Sequence, residues 1–306
     1  MGEEVKKRSE ILFIYDIRDG NPNGDPLDEN KPRIDEETGI NLVTDVRLKR
    51  TIRDYLYNFK GLEIFVREIV HDKDKGFIQD GKMRAGNFSN DAKRILRECI
   101  DIRLFGGVIP LEKDSITYTG PVQFKMGRSL HRVTMKHIKG TGAFASKVDS
   151  KQATFREEDI LPYSLILFYG IINENAAKHT DLSEEDIKLL LEGIWNGTKS
   201  LISRTKAGQV PRLLLKVNYS KENYHIGDLD KMVKLVTEMH HESIRDTADF
   251  QLEIAELIGK LAAEKSSIKD IEICVDDRIE FSKEGIVFPI EELVKATGIA
   301  IKPIAF

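Results

Sequence analysis

A chain of 306 residues with 41% hydrophobic and 32% charged side chains can bury a large core without disulfide or metal staples. Its longest unbroken apolar runs, Ile11–Tyr15 and Leu165–Gly170, are far too short to cross a bilayer, and the charged stretch Met1–Glu10 lacks the apolar core of a secretory leader. The net charge of −4 excludes a uniformly basic surface, and two unclustered cysteines, Cys99 and Cys274, read as reduced packing residues of a cytoplasmic protein.

Ser9–Ile17 is apolar, β-branched and aromatic, and predicts a strand. It runs into Asp19-Gly-Asn-Pro-Asn-Gly-Asp-Pro26, whose turn residues predict a long loop. Thr44 or Asp45 suits an N-cap, and Leu48, Ile52, Tyr55, Leu56 and Phe59 then recur at helical spacing. A second strand is expected over Gly61–Val70, a charged loop over His71–Asn90, a helix over Asp91–Phe105 closed by Gly106-Gly107, and a strand over Ile116–Met126. The basic stretch up to Arg156 shows no sustained period and reads as an inserted loop or hairpin. Pro162–Asn173 has the pattern of a buried strand. Ser183-Glu-Glu-Asp186 opens a helix whose stripe is Ile187, Leu190, Leu191, Ile194 and Leu201, and Leu213–Tyr219 is a strand. Two helices (Asp228–His240, Ser243–Glu264), strands over Asp270–Val275 and Gly285–Phe288, and a last helix opened by Pro289 are expected beyond it.

Strand, helix, strand, stated twice, is the outline of an α+β fold of the split βαβ kind, ferredoxin-like or RRM-like. The chain therefore reads as one such domain over 1–306, with large insertions at about 71–115 and 127–160 and an α+β extension over about 220–306.

Charge is distributed unevenly along this outline. Pro121–Arg156 holds eight Lys/Arg against Asp149 alone, and Asn196–Val217 holds Lys199, Arg204, Lys206, Arg212 and Lys216 with no acid. Glu222–Phe306 holds 18 Asp/Glu against 10 Lys/Arg. Basic and acidic territories thus hide behind the near-neutral total. They are either ordinary solvated faces or a polyanion site beside a complementary surface.

Asp19-x-Asn21-x-Asn23-Gly24 matches the first half of an EF-hand loop, but Asn30 stands where a bidentate Glu is required and Pro22 and Pro26 interrupt it. The surviving reading is a loop whose glycines, Asn side chains and backbone N–H groups meet phosphate. Asp16, Asp19, Asp25 and Asp45 supply the raw material of a metal-dependent phosphodiesterase, though spacing alone does not bring them together. The seven histidines form no zinc pattern, and no Walker A, nucleophile elbow or dinucleotide fingerprint occurs. No metal or cofactor is expected. Gly193-x-x-x-Gly197 signifies close helix packing.

The helix after Asp45 is more informative. Arg47, Lys49, Arg50 and Arg53 flank and oppose its apolar face, and cations in the first turns oppose the helix dipole by a few tenths of a kcal/mol each. An incoming phosphate reverses that cost.

Tyr15-Asp-Ile-Arg-Asp-Gly-Asn-Pro-Asn-Gly-Asp25, followed by Gly39-x-x-Leu-Val-Thr-Asp-Val-Arg-Leu-Lys-Arg50, resembles the backbone subunit of type I CRISPR surveillance complexes (Cascade), of the RAMP superfamily and nearest the I-B and I-C branches. Thr119-Gly-Pro-Val-Gln-Phe-Lys-Met-Gly-Arg128, Trp195-Asn-Gly-Thr-Lys199 and Pro211-Arg-Leu-Leu-Leu215 extend the likeness, which covers about Ser9–Tyr219. The resemblance implies an RRM-like palm with inserted finger and thumb segments. It also implies that several copies stack along one CRISPR RNA, with other Cascade subunits as partners, and leave the guide bases facing out for target DNA. The opposed basic and acidic territories, rather than the resemblance, predict that the copies meet head-to-tail. Carried to matching positions, the resemblance implies RNA contacts from Asn21, Asn23, Lys31, Thr44, Arg47, Lys49, Arg50, Arg53 and Arg128. Charge alone adds Lys136, Lys147, Arg204 and Lys206. No RRM stacking motif occurs, so the RNA is not expected on the sheet face. The chain is expected not to be an enzyme. Two alternatives stay open: a metal-dependent endoribonuclease backbone subunit using Asp25 or Asp45, and a stand-alone single-stranded RNA-binding protein.

Overall fold

Ser9–Gly20 (β1) places Ile11, Phe13, Tyr15 and Ile17 on one side and Leu12 and Ile14 on the other, all buried. A strand apolar on both sides needs cover on both faces, and the chain is arranged to provide it. The structure, a computed structural model, describes residues 2–72, 74–111, 114–145 and 153–306, with side chains described outside 141–156. The other principal strands are Ile40–Val43 (β2), Gly127–Arg132 (β3), Lys136–Ala145 (β4), Ala153–Ile172 (β5), Val210–Tyr219 (β6), Ile268–Val275 (β7) and Ile301–Pro303 (β8). The principal helices are Asp45–Lys60 (α1), Glu184–Lys199 (α2), Ala255–Ala263 (α3) and Ile290–Ala296 (α4).

Among the described residues the main sheet has ten strands, and its path runs β8, β7, β6, β1, β5, β3, β2 and Ile34–Asp35. Val122–Phe124 and β4 also pair with β5. β1 is antiparallel to both β5 and β6, so the connection from β5 through α2 to β6 straddles it. α1 and α2 cover the face bearing Ile11, Phe13 and Tyr15, and they meet at two glycines. A Cβ on Gly193 would lie 3.0 Å from Ile52, and one on Gly197 3.0 Å from Tyr55. The opposite face, with Leu12, Ile14, Tyr163 and Leu215, is covered by the C-terminal third, including Leu229, Phe250, Leu257 and Leu293. The molecule is therefore mixed α+β around a central sheet that is buried on both sides.

Two buried polar groups fix this packing. Glu10, fully buried in β1, accepts hydrogen bonds from the hydroxyls of Tyr169 and Tyr219 and from Ile226 N (2.9 Å) and Gly227 N (2.8 Å). It thereby ties the start of the C-terminal third to the middle of the sheet. His131 in β3 is equally buried: its Nδ1 bonds Arg132 O (2.9 Å), and Leu165 N donates to its Nε2 (3.2 Å), which assigns the proton to Nδ1.

The structure departs from several expectations. No strand covers Gly61–Val70, because the buried Asp101 carboxylate takes Phe65 N and Val66 N away from any ladder, and the strand there is Val70–Asp72. The helix expected over Asp91–Phe105 breaks at Cys99, whose extended backbone pairs with Glu63, leaving Ala92–Glu98 and Ile100–Phe105. Ile116–Met126 divides into Ser115–Thr119 and Val122–Phe124 around Gly120, where a Cβ would strike Phe105 at 2.1 Å. The basic insertion contains β3 and β4, the latter forming a hairpin with β5. Neither helix expected between Asp228 and Glu264 forms at that length. Leu229–Met232 is a 3-10 turn, Lys234–Val236 a strand, and only α3 is helical, since Leu229, Val233, Ile244 and Phe250 reach the sheet from irregular backbone. Cys99 and Cys274 are both free. Among the described residues no helix is long and apolar enough to cross a membrane.

Glu10→Ala strands two buried hydroxyls and two N–H groups, and should cost on the order of 3 kcal/mol in a urea melt. Burial pushes His131 down to about 4, from an ordinary 6.5, against the opposing pull of the Arg132 carbonyl. The folded ring stays neutral while the unfolded chain takes up a proton, so this contribution is full above about 6.5 and is lost as pH falls toward about 4. Urea melts across that window should show a shallower loss for His131→Gln than for the parent chain.

Candidate nucleic-acid interface

The first loop is built around two asparagines with inward roles. Asn21 is 1% exposed, and its Nδ2 donates to Asn30 O (2.7 Å), while its backbone N donates to Thr205 O (2.7 Å). That second bond holds the 200–208 loop against the end of β1. Gly20 allows the approach, since a Cβ there would lie 2.7 Å from Thr205 O. Asn23 Oδ1 accepts from both Thr44 N (2.8 Å) and Thr44 Oγ1 (2.9 Å). Thr44 is the N-cap of α1, its Oγ1 accepting from Arg47 N (3.2 Å), so one carboxamide positions the start of the helix. Of the two asparagines expected at the RNA, Asn21 is thus buried with its Nδ2 committed to the loop, and the half-buried Asn23 commits its Oδ1 to Thr44. Lys31 is paired with Asp28 (2.7 Å) and Glu29 (3.5 Å) on the same loop.

The cations of α1 divide by the side they face. Lys49 Nζ reaches Asp45 (3.0 Å) and Gln123 (3.1 Å) and lies over the Phe105 ring. Arg53 donates to the fully buried Asp101 (3.0 Å) and also stacks on Phe105. Both are engaged in holding the 62–119 segment, a structural duty that spacing along α1 did not reveal. Arg47 and Arg50 point the other way. Arg47 Nη2 donates to Thr51 Oγ1 (3.0 Å) and forms no ion pair among the described residues, whereas Arg50 Nε meets both oxygens of Asp54 (2.7 and 2.9 Å).

On that side a groove of about 680 Å³ opens between α1 and the 200–206 loop. Arg47, Arg50, Asp54, Asn58 and Phe59 line one wall, and Leu201, Ile202, Ser203 and Lys206 the other. Lys206 also lacks an ion pair among the described residues. Burial, and then the Arg47 charge, holds its ammonium below the ordinary value. Burial likewise lowers Arg47, with Asp54 and Tyr15 opposing and Arg50 adding to the shift. Two half-buried cations side by side, relieved only in part by Asp54, are a standing electrostatic cost that an anion in the groove would lower. Apolar surface lies alongside. Ile202 is 93% exposed and Phe59, expected on the buried stripe, is 61% exposed and stacked on Tyr55 (5.1 Å). Phe59, Asn58, Asp54, Leu201 and Ile202 went unread as lining residues; the only signal was Leu201-Ile202 standing in an otherwise polar loop.

The remaining expected contacts lie elsewhere. Arg128 is exposed on β3 and 3.8 Å from Asp35, and Lys136 is exposed at the start of β4 without an ion pair among the described residues. Arg204 pairs with Glu158. Lys147 lies outside the described residues. Arg212 and Lys216, part of the acid-free run, are interior: Arg212 binds Asp16 (2.8 Å) and Asp276 (2.8 Å), and Lys216 binds Glu272 (3.0 Å). The carboxylates considered for hydrolysis are dispersed as well. Asp16 is buried against Arg212 and Tyr163, Asp25 pairs with Arg33, and Asp45 with Lys49. Among the described residues no three His, Cys, Asp or Glu are grouped to hold a metal ion.

This geometry can be set beside known proteins. The family model described as CRISPR-associated protein Cas7 matches residues 7–255. A Haloferax volcanii protein described as CRISPR-associated protein Cas7 is 32% identical, over 89% of this chain and 88% of its own length. The chain belongs to the Cas7 family. Solved structures titled "CRISPR RNA-guided surveillance complex, pre-nicking" and "CRISPR RNA-guided surveillance complex" contain chains of similar fold. Their TM-scores are 0.54 and 0.52 and their identities 12% and 14%, covering 95% and 94% of this chain and 100% and 99% of theirs. The Cas7 match takes in β1, the first loop, α1 and the 200–206 loop, and so the whole groove.

Stability should separate the two sides of α1 in this Cas7 chain. Arg53→Ala strands the buried Asp101 and should cost roughly 3 kcal/mol in urea melts. Lys206→Gln removes a half-buried charge beside Arg47 and should be neutral or slightly stabilising.

Proposed function

We propose that this chain is the RNA-holding backbone subunit of a type I CRISPR surveillance complex of the I-B or I-C branch. It grips the phosphates of a CRISPR RNA without selecting bases. The observation that carries this reading is the Arg47–Lys206 pair, two half-buried cations that form no ion pair among the described residues and share an open groove. Phosphate is the ligand such a pair lacks, and phosphate contacts position a strand rather than read it. Membership of the Cas7 family and likeness to chains of RNA-guided surveillance complexes support the same partner. The strand order β6, β1, β5, β3, with α1 and α2 on one face, supports an RRM-like core, and the 62–119 segment and the β4–β5 hairpin correspond to its insertions.

In this reading copies stack head-to-tail on one cytoplasmic guide alongside other Cascade subunits, and the outward bases pair with target DNA. The subunit does no chemistry. Asp16, Asp25 and Asp45 each spend their charge on a neighbouring cation, which supports that part of the reading over a ribonuclease.

The test is mass measurement of the purified protein with guide RNAs of increasing length. The copy number should climb in steps, and complexes incubated with Mg²⁺ and RNA complementary to the guide should leave that RNA intact. A single protomer per RNA at every length would return the chain to the class of stand-alone single-strand binders, and regularly spaced cuts abolished by Asp25→Ala or Asp45→Ala would make it a nuclease.

A further inference from the structure

The Arg50–Asp54 pair is difficult to explain as a structural device. It is an i,i+4 pair on α1 with side chains 49% and 40% exposed, and with the cation N-terminal to the acid, the order less favourable to the helix dipole. It contributes little to the helix. Its location is more informative, because Asp54 is the only carboxylate among the groove's lining residues and shares that wall with Arg47.

We infer that Asp54 is an internal competitor for the phosphate held in this groove, occupying Arg50 in the free protein and thereby limiting how tightly one protomer binds a single strand. The inference rests on the phosphate-holding reading above. Both carboxylate oxygens lie on a single donor, Arg50 Nε (2.7 and 2.9 Å), so Asp54 holds a guanidinium N–H that a phosphate would otherwise use. A phosphate reaching Arg47 and Lys206 must either displace Asp54 from Arg50 or sit beside its negative charge. Each route weakens binding without regard to base identity. Lys49 and Arg53 escape this competition because their partners lie on the other side of the helix.

The experiment is fluorescence anisotropy of a labelled oligouridine RNA with the full chain at several salt concentrations. The parent is compared with Asp54→Asn, which keeps the shape and removes the charge, with Asp54→Ser as a second variant at this half-exposed site. Arg50→Ala, Asp54→Asn/Arg50→Ala and Arg47→Ala/Lys206→Ala complete the set, each first shown to melt cooperatively. The Asp54 variants should bind roughly fivefold tighter at low salt. The gain should shrink as salt rises, and be smaller when Arg50 is absent. Unchanged or weaker binding by both Asp54 variants, with Arg47→Ala/Lys206→Ala still weakening it, overturns the role of Asp54 and leaves the groove as the RNA site. Unchanged binding by Arg47→Ala/Lys206→Ala overturns the groove reading and this inference with it.

Discussion

β1 has no solvent-facing side over most of its length, and everything else in the fold answers that constraint. With Ile11, Phe13 and Tyr15 on one side and Leu12 and Ile14 on the other, exposing either face would forfeit the burial that holds the sheet, roughly 1.5–3 kcal/mol per large apolar side chain. α1 and α2 close one side. The C-terminal third closes the other with α3, α4 and a largely irregular stretch over 226–250, and Glu10 offers a buried acceptor to Ile226 N and Gly227 N at the point where that stretch begins.

Covering β1 also decides where the groove lies. α2 must lie against α1 closely enough for Gly193 and Gly197 to meet Ile52 and Tyr55, and the chain leaving α2 then passes the end of β1, where Asn21 N captures Thr205 O. The loop that follows β1 cannot stray, because Asn23 is bound to the N-cap of α1. Lys206 and Arg47 therefore come together from residues far apart in sequence, held by backbone and carboxamide hydrogen bonds rather than by any attraction between themselves. Their mutual repulsion is sustained by the packing beneath.

The elements with one dominant physical signal could be read directly. α1 has an N-cap, a stripe and a C-terminal glycine at φ +66°; α2 has a complete capping box; β1 has the continuous apolar run Ile11–Tyr15. Elements decided by distant partners could not. Cys99 breaks a good helical pattern because Glu63 pairs with it, and Phe65 avoids a strand because Asp101 claims its N–H. The 228–264 segment has helical spacing locally but spends its apolar residues on the sheet. The site was read only in part for the same reason. Residue type and position singled out Arg47, Arg50 and Lys206, which the fold brings to one groove, but not that Arg53 is tied to a buried aspartate, nor that Asn21 is buried.

Net charge proved a poor guide because it weights every side chain equally, whereas the groove depends on which cations lack partners. Arg212 and Lys216 belong to the acid-free run over Asn196–Val217, yet Asp16, Asp276 and Glu272 neutralise them in the interior. Arg47 and Lys206 are only two charges among 47 Lys/Arg, but among the described residues no carboxylate pairs with them, and both are half-removed from water. An unpaired cation in that position has already lost part of its hydration before a ligand arrives, so less solvation has to be given up on binding and the attraction is less screened than at a fully exposed lysine. Recessed, adjacent and rigidly placed cations can therefore form a locally positive groove in a chain whose net charge is −4.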